Sequence, residues 1–407
     1  MNGNIYIYAG WLKENPLIGI VHSAEQRGKE VISFEYADSW ILQHSSLLLD
    51  PDIQPYRGRQ YLPEKKEMYG FLEDISPDRW GRTLIRRREM IDARKEGRPR
   101  KALFPTDYIL GVHDKGRTGA IRVKTDPQGN FLADTDSLEA PPMTEIRKLE
   151  QASLGFEAER DPYEEKWFRQ ILSPGSSLGG ARPKANVRAV DGSIWIAKFP
   201  SRHDEINAGA WEMVVHDLAV LSGLHVPEAQ LHTFSRFGST FLVKRFDRKK
   251  DQRIHFASAM TMLGKRDGDT ASYVDIAEFL EKYSPEPEQD VQELWKRIVF
   301  SIAVSNTDDH LRNHGFLLQD NKWRLSPVYD LNPSPWGDAL SLLIDDQSND
   351  KDMHLAIEAA PYFRMSELQA KEQADRISGI VHHHWREIAA KYHISNAECE
   401  KMKSAFC

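Results

Sequence analysis

Between Ile5 and Tyr36 the chain alternates apolar and polar residues in short runs, "IYIY", "LIGIVH" and "VISFEY", broken by "KENP" and "EQRGKE". Side chains two apart share a face of a strand, so the pattern predicts a small sheet. The period then lengthens. In "DRWGRTLIRRREMIDARKEGRPRK" the apolar Trp80, Leu84 and Met90 or Ile91 recur at helical spacing within an arginine-dominated stretch. This predicts a helix whose basic side is either a solvated face or a binding surface.

Strand-like alternation returns after Leu172: "KANVRAV" and "SIWIAKF" flank Asp191-Gly192, which predicts a hairpin with a tight turn. "HDEINAGAWEMVVHDLAVLSG" then predicts a helix burying Ala210, Met213 or Val214, Leu218 and Leu221, with Gly223 as its C-cap. "VPEAQLHTF" and "TFLVKRFD" read as two further strands. From about Glu278 helices dominate, among them "VQELWKRIVFSIAV" with Leu294, Ile298, Val299 and Ile302 on its buried face. "DPQGNFLADTDSLEAPP" and "EKYSPEPEQD", rich in turn residues and acids, are the expected loops or linkers. No internal repeat is seen. A sheet-rich half followed by a helical half is an α+β arrangement of two lobes.

At 407 residues the chain is long enough for two or three cores. A net charge of -7 argues against a protein that coats nucleic acid, although a local basic patch remains open. The two cysteines, Cys399 and Cys407, sit near the C-terminus, so no disulfide framework is expected and a reducing cytoplasm fits. The opening "MNGNIYIYAG" has no leader-like pattern, and no apolar run approaches a membrane span. No membrane partner is therefore expected.

The chemistry concentrates in "VSNTDDHLRNHGF", Val304 to Phe316. Asp308 stands five residues before Asn313, the D-x-x-x-x-N spacing of kinase catalytic loops. In such loops the aspartate takes a hydroxyl proton and the asparagine helps hold Mg²⁺. Asp309 competes for the first role, and the spacing favours Asp308. His310 and His314 would suit a metal cluster, but no third ligand of clear spacing accompanies them. His310 is expected to orient the loop, and His382 to His384 to form a polar helix face. "LSPVYDLNP" adds a second acid, Asp330, expected at the end of a short strand-like run and suited to bridging Mg²⁺ to nucleotide phosphates. Upstream, Lys198 ends an alternating strand as the nucleotide-pairing lysine of V-A-I-K does, and Glu212 follows as its candidate ion-pair partner. In "GSSLGGARPK" the backbone around Gly175, Gly179 and Gly180 is a candidate phosphate cradle, with Arg182 and Lys184 adding positive charge. No one of these is decisive; their order along the chain is that of a kinase.

Taken together, "SSLGGARPKA", "IAKFPS", "VKRFDR", "NTDDHLRNHGF" and "LSPVYDLNPS" resemble the HipA-like serine/threonine kinases of bacterial toxin-antitoxin modules. "GWL", "FEYADSWI" and "SPDRWGR" extend the resemblance over most of the chain. G-x-G-x-x-G, H-R-D, D-F-G and A-P-E are lacking, so the resemblance implies only a distant protein-kinase-like fold. It implies an N-terminal subdomain at 1–125, an ATP-binding lobe core at 126–250 and a helical catalytic lobe at 251–407. It further implies ATP and Mg²⁺ as cofactors, with Asp308 as base and Asn313 and Asp330 on the metal. Lys198, Ser177, Gly179, Gly180, Lys184 and Glu212 then belong to the nucleotide site, and backbone near Lys244 and Phe246 holds the adenine. Lys244 stands where the family often has an acid. Ser177 matches a serine that is autophosphorylated in some members. The partners implied are a protein substrate, such as an aminoacyl-tRNA synthetase, and a helix-turn-helix antitoxin through which DNA is met indirectly. Two other classes stay open on the residues alone: a small-molecule phosphotransferase, and a catalytically silent binding protein that acts with a DNA-binding repressor.

Overall fold

A computed structural model describes residues 3–132, 140–158, 171, 182–250 and 252–406. The chain divides into two compact units, Met1–Arg202 with Asp247–Ala257, and His203–Phe246 with Ser258–Cys407. These cut the chain at places other than the expected 125 and 250.

In the first unit, β1 (Gly3–Ala9), β2 (Leu17–Gln26), β3 (Lys29–Tyr36), β4 (Gln60–Tyr61) and β5 (Ile121–Lys124) form an antiparallel sheet in the order β4-β3-β2-β1-β5. The alternation does what it predicts: Ile5, Ile7 and Ala9 point into the core while Asn4, Tyr6 and Tyr8 do not. Helix α1 (Arg79–Lys95) starts at Asp78, whose carboxylate accepts the Gly81 N–H, a standard N-cap. Its Trp80 and Leu84 pack with Ala152 and Phe156 of α2 (Ile146–Glu157) and with Ile171. Met90 and Ile91 are only half-buried; Ile85 and Ala93 are the deeper side chains.

Asp247–Ala257 joins this unit through charge. Asp247 accepts the Gly119 N–H, Arg248 donates to Gly119 O and Arg117 O, and Arg253 shares the Asp114 carboxylate with Arg122. Both acids are nearly inaccessible, and buried carboxylates persist only when paired in this way. A boundary near 250 would break that set.

β6 (Lys184–Arg188) and β7 (Ile194–Lys198) form the expected hairpin, but the turn is centred one residue earlier than expected. The Gly192 N–H bonds Ala189 O and the Ala189 N–H bonds Ser193 O, with Gly192 at φ +83°. It is a longer, glycine-closed loop rather than a two-residue turn on Asp191-Gly192.

The second unit opens with α3 (Ala208–Leu221), capped by Asn207 and closed at Gly223, whose N–H returns to Val220 O. Ala210, Met213, Val214 and Leu218 are buried as expected, whereas Leu221 is 49 % exposed, so the last turn leaves the core. The hairpin of β8 (Ala229–Ser235) and β9 (Gly238–Lys244) lies against this helix. A Cβ on Gly209 would stand 2.1 Å from Ser239 O, so glycine is required for that approach. α4 (Tyr273–Tyr283) and α5 (Pro287–Ala303) are separated only by 284–286. The linker expected at "EKYSPEPEQD" is therefore mostly helix: Pro287 takes the N1 position, where its missing N–H is no loss.

After α5 the chain forms a hairpin unforeseen from its pattern, β10 (Gly315–Gln319) with β11 (Lys322–Leu325). Its two-residue turn, Asp320 and Asn321, has φ of +48° and +62°, the signature of a type I′ turn. α6 (Glu367–Lys391) and α7 (Asn396–Met402) follow; His382 to His384 form an exposed face of α6. Among the described residues, no helix is long and apolar enough to cross a membrane.

Candidate active site

The site lies where α5 ends and the β10–β11 hairpin returns. Ser326 donates its N–H to Gly315 O at 2.9 Å, so the hairpin brings the segment after Leu325 back beside the loop before Gly315. Two stretches far apart in sequence thereby emerge together.

The first stretch is built on Asp309. This carboxylate is buried, accepts hydrogen bonds from Tyr273 of α4 and Ser301 of α5, and lies 2.7 Å from His314 Nε2. Burial pushes the Asp309 carboxyl up, but the His314 imidazole and the Tyr273 and Ser301 hydroxyls outweigh it and hold the group below the usual carboxylate range. Burial, and then the Asp309 charge, push the Tyr273 phenol well above its ordinary value. The phenol is a fixed donor. Asp309 is thus the floor of the loop, and the anchoring expected of His310 belongs to His314.

Asp308, one residue earlier, faces out and is exposed. Among the described residues no hydrogen bond or ion pair engages its carboxylate. Its carbonyl instead accepts the Asn313 Nδ2 at 2.8 Å. That bond explains the five-residue spacing: a short 3₁₀ turn, Leu311–Asn313, folds the asparagine back on the aspartate backbone. With Nδ2 committed, Oδ1 is the amide atom left for a cation.

The second stretch carries Asp330. No strand runs there, because β11 ends at Leu325, and Asp330 sits half-buried in the left-handed region at φ +59°. Outside glycine this conformation is uncommon, and Asp is one of the residues enriched in it. The segment is tied down along its length. Buried Arg297 donates to Ser326 O at 2.7 Å, and Val328 donates to His225 O. Tyr329 OH reaches Arg312 O at 2.7 Å, the Asn332 N–H reaches Asn306 Oδ1, and Ser334 donates to Ser305 O. The Asp330 carboxylate accepts from Asn332 Nδ2 at 3.3 Å. Asp308, Asn313 and Asp330 are therefore set in one framework of the second unit.

Asn313 and Asp330 supply hard oxygen donors. That is the chemistry Mg²⁺ takes from protein, with the remaining positions filled by phosphate and water. Among the described residues no group of three His, Cys, Asp or Glu is arranged to hold a metal.

The remaining expected residues divide. Glu212 is buried on α3 in the second unit, and the Phe246 ring lies 5.6 Å from that of Tyr329, tilted by 40°, next to Asp330. Lys244 gives its N–H to Glu228 O and its ammonium to the Glu228 carboxylate, which narrows the adenine contact expected there. Lys198 ends β7 in the first unit. Lys184 is 2 % exposed, and its ammonium lies 3.1 Å from Asp78, which caps α1. Ser177, Gly175, Gly179 and Gly180 lie outside the described residues. Tyr273, Arg297 and Ser301 were not singled out from the sequence, and His314 was weighed only as a metal ligand; the D-D-H-x-x-x-H clustering around Asp309 was the one hint.

Comparison with known proteins bears on the family and the fold. The chain is 30 % identical over 184 residues to "Putative kinase Y4mE" of Sinorhizobium fredii, covering 38 % of this chain and 41 % of that protein. It is 27 % identical over 209 residues to a "Putative kinase" of Haemophilus influenzae, covering 43 % and 60 %. The matched stretches thus span between about two fifths and three fifths of those relatives' length. Among solved structures, a chain from the Shewanella oneidensis MR-1 toxin-antitoxin complex of HipA, HipB and operator DNA superposes with a TM-score of 0.67. That match has 17 % identity and covers 98 % of this chain and 94 % of that one, so the mixed α/β fold is shared. The profile described as HipA-like C-terminal domain matches residues 176–395, more than half of the chain, and the chain belongs to that family.

Proposed function

We propose that this chain is a Mg²⁺- and ATP-dependent serine/threonine protein kinase, acting as the growth-inhibiting toxin of a toxin-antitoxin pair. The observation that carries the reading is the paired placement of neighbouring aspartates: Asp309 fully bonded in the floor, Asp308 unengaged above it, with Asn313 clamped to the Asp308 backbone. In this reading the acceptor hydroxyl loses its proton to the Asp308 carboxylate as its oxygen bonds the γ-phosphorus. The bond from that phosphorus to the bridging oxygen breaks, and ADP leaves with the electron pair. Asn313 Oδ1 and the Asp330 carboxylate hold Mg²⁺, which neutralises charge on the phosphate oxygens when bound. Lys198 is assigned to the α/β-phosphates, Phe246 to the adenine surroundings, and Ser177 to autophosphorylation. The two-lobed description belongs to this same reading.

A protein substrate, an aminoacyl-tRNA synthetase among them, and a helix-turn-helix antitoxin follow from the family resemblance. The composition of the Shewanella complex supports the antitoxin. The test is incubation of the purified protein with γ-labelled ATP and bacterial extract, with and without Mg²⁺. Label on serine or threonine that requires Mg²⁺ and drops at least about a hundredfold in Asp330→Asn is expected. Label confined to small molecules, or undiminished in that variant, would overturn the proposal.

A further inference from the structure

The loop that follows Asp330 ends in an aromatic that the proposed chemistry does not use. Trp336 is 79 % exposed, on the surface of a chain whose other large aromatics are mostly packed. Exposed aromatics of this size on a rigid mount are unusual on a surface without a partner, and common where one docks.

The mount is rigid. Ser334 Oγ donates to Trp336 O at 2.8 Å and accepts the Trp336 N–H at 3.2 Å, closing a tight turn, and Ser404 donates to Pro335 O at 3.1 Å. The turn is also fastened to the catalytic loop. Ser334 donates to Ser305 O, Ser341 Oγ donates to Thr307 O at 2.8 Å, and Lys351 Nζ donates to Ser305 Oγ at 3.0 Å. Gly337, at φ +97°, lies beside Thr307, where an added Cβ would make ordinary van der Waals contact with Thr307 Cγ2 at 3.5 Å. Thr307 is the residue before Asp308. The loop bearing Trp336 thus frames the residue that carries the proposed base.

The surroundings indicate what settles on the indole. Residues 337–352 contain five aspartates and one lysine, and that lysine is turned to Ser305. Asp338 and Asp350 are exposed, and residues 339 and 350 pair across a bridge that brings these acids to the same end of the loop. Its neighbours in sequence are serine, proline, glycine and aspartate. An indole face is electron-rich and attracts a cation, and carboxylates beside it reinforce the preference.

We infer that Trp336 is the docking platform for the substrate segment that presents its hydroxyl to Asp308, and that it selects a Lys or Arg near that hydroxyl. This rests on the kinase reading. A platform fixed in advance loses little entropy when the segment binds, so its effect falls on substrate affinity rather than on the transfer step.

The experiment is kinetic, using a serine-centred peptide library in which Arg, Ala or Glu is fixed in turn at each position flanking the serine, with Mg·ATP. Wild-type protein should prefer Arg at one flanking position or more and disfavour Glu there. Trp336→Ala should raise KM for the best Arg peptide about tenfold while kcat stays within about twofold, and Trp336→Phe should restore most of the loss. Asp338→Asn should weaken the preference for Arg over Ala. Equal KM in wild type and Trp336→Ala, or a preference for Glu, overturns the docking role while leaving the kinase reading intact. No label on any peptide overturns it as well, and titration of the same sample with Mg·ATP then tells whether nucleotide binding has failed with it.

Discussion

Asp308 and Asp309 are neighbours in sequence, yet the floor of the loop and its rim treat them in opposite ways. On the floor, Tyr273, Ser301 and His314 surround Asp309 from two helices and the start of a hairpin, satisfying a carboxylate out of reach of water. On the rim, Asp308, Asp330 and Trp336 keep partial or full exposure: Asn313 bonds the Asp308 carbonyl, Asn332 bonds the Asp330 carboxylate and Ser334 bonds the Trp336 backbone. A buried charge is tolerable only when paired, whereas a base must keep a lone pair for the substrate. The fold invests its strong interactions one residue away from the proposed chemistry.

This contrast can be broken from the floor first. Asp309→Asn removes the charge that His314 faces and turns one of the two accepting oxygens into an NH2 donor among groups that need acceptors, so stability in denaturant titration should fall by about 3 kcal/mol or more. The pH dependence has a defined sign. Asp309 is held below its unfolded value, so its contribution is complete above that value and is lost as pH falls through the folded one. The stability gap between wild type and Asp309→Asn should accordingly be widest near neutrality and narrow below about pH 4. A gap that widens with acid would contradict the assignment of Asp309 as a buried, ionised anchor.

The smallest expected effect lies at the rim's outer edge, where Arg312 pairs with Asp267 in solvent. Such pairs are screened, so Arg312→Ala should shift stability by no more than about 1 kcal/mol, with the effect shrinking further in high salt. A larger loss would mean that the Arg312 side chain, and not only its carbonyl bonded to Tyr329, holds the second stretch.

Local signals in the sequence carried far. The alternation of Ile5, Ile7 and Ala9 is visible because a strand imposes a period of two on its own residues, and the Asp308 to Asn313 spacing is visible because one short turn closes it. Contacts made across the chain left no such trace. Tyr273 meets Asp309 from 36 residues away, and Lys184 finds Asp78 across 106 positions. Leu221 falls on the apolar stripe of α3 but extends past the packed part of the helix. "SPEPEQD" looks like a linker by composition, but Pro287 is well suited to a helix start and the acids to its first turn. The β10–β11 hairpin was hidden because its turn uses Asp-Asn rather than the more familiar Asn-Gly or Asp-Gly.

The most direct measurement of the central claim compares Asp308→Asn with wild type in three readings on one preparation: phosphoryl transfer from labelled ATP, Mg·ATP affinity by calorimetry, and thermal midpoint. Asp308 is exposed and makes no side-chain bond among the described residues, so the midpoint and the affinity should stay near wild type, while transfer falls by about a thousandfold or more. Transfer at the wild-type rate in Asp308→Asn would contradict the account, since the carboxylate beside Asn313 that is unengaged among the described residues would then have no part in the reaction.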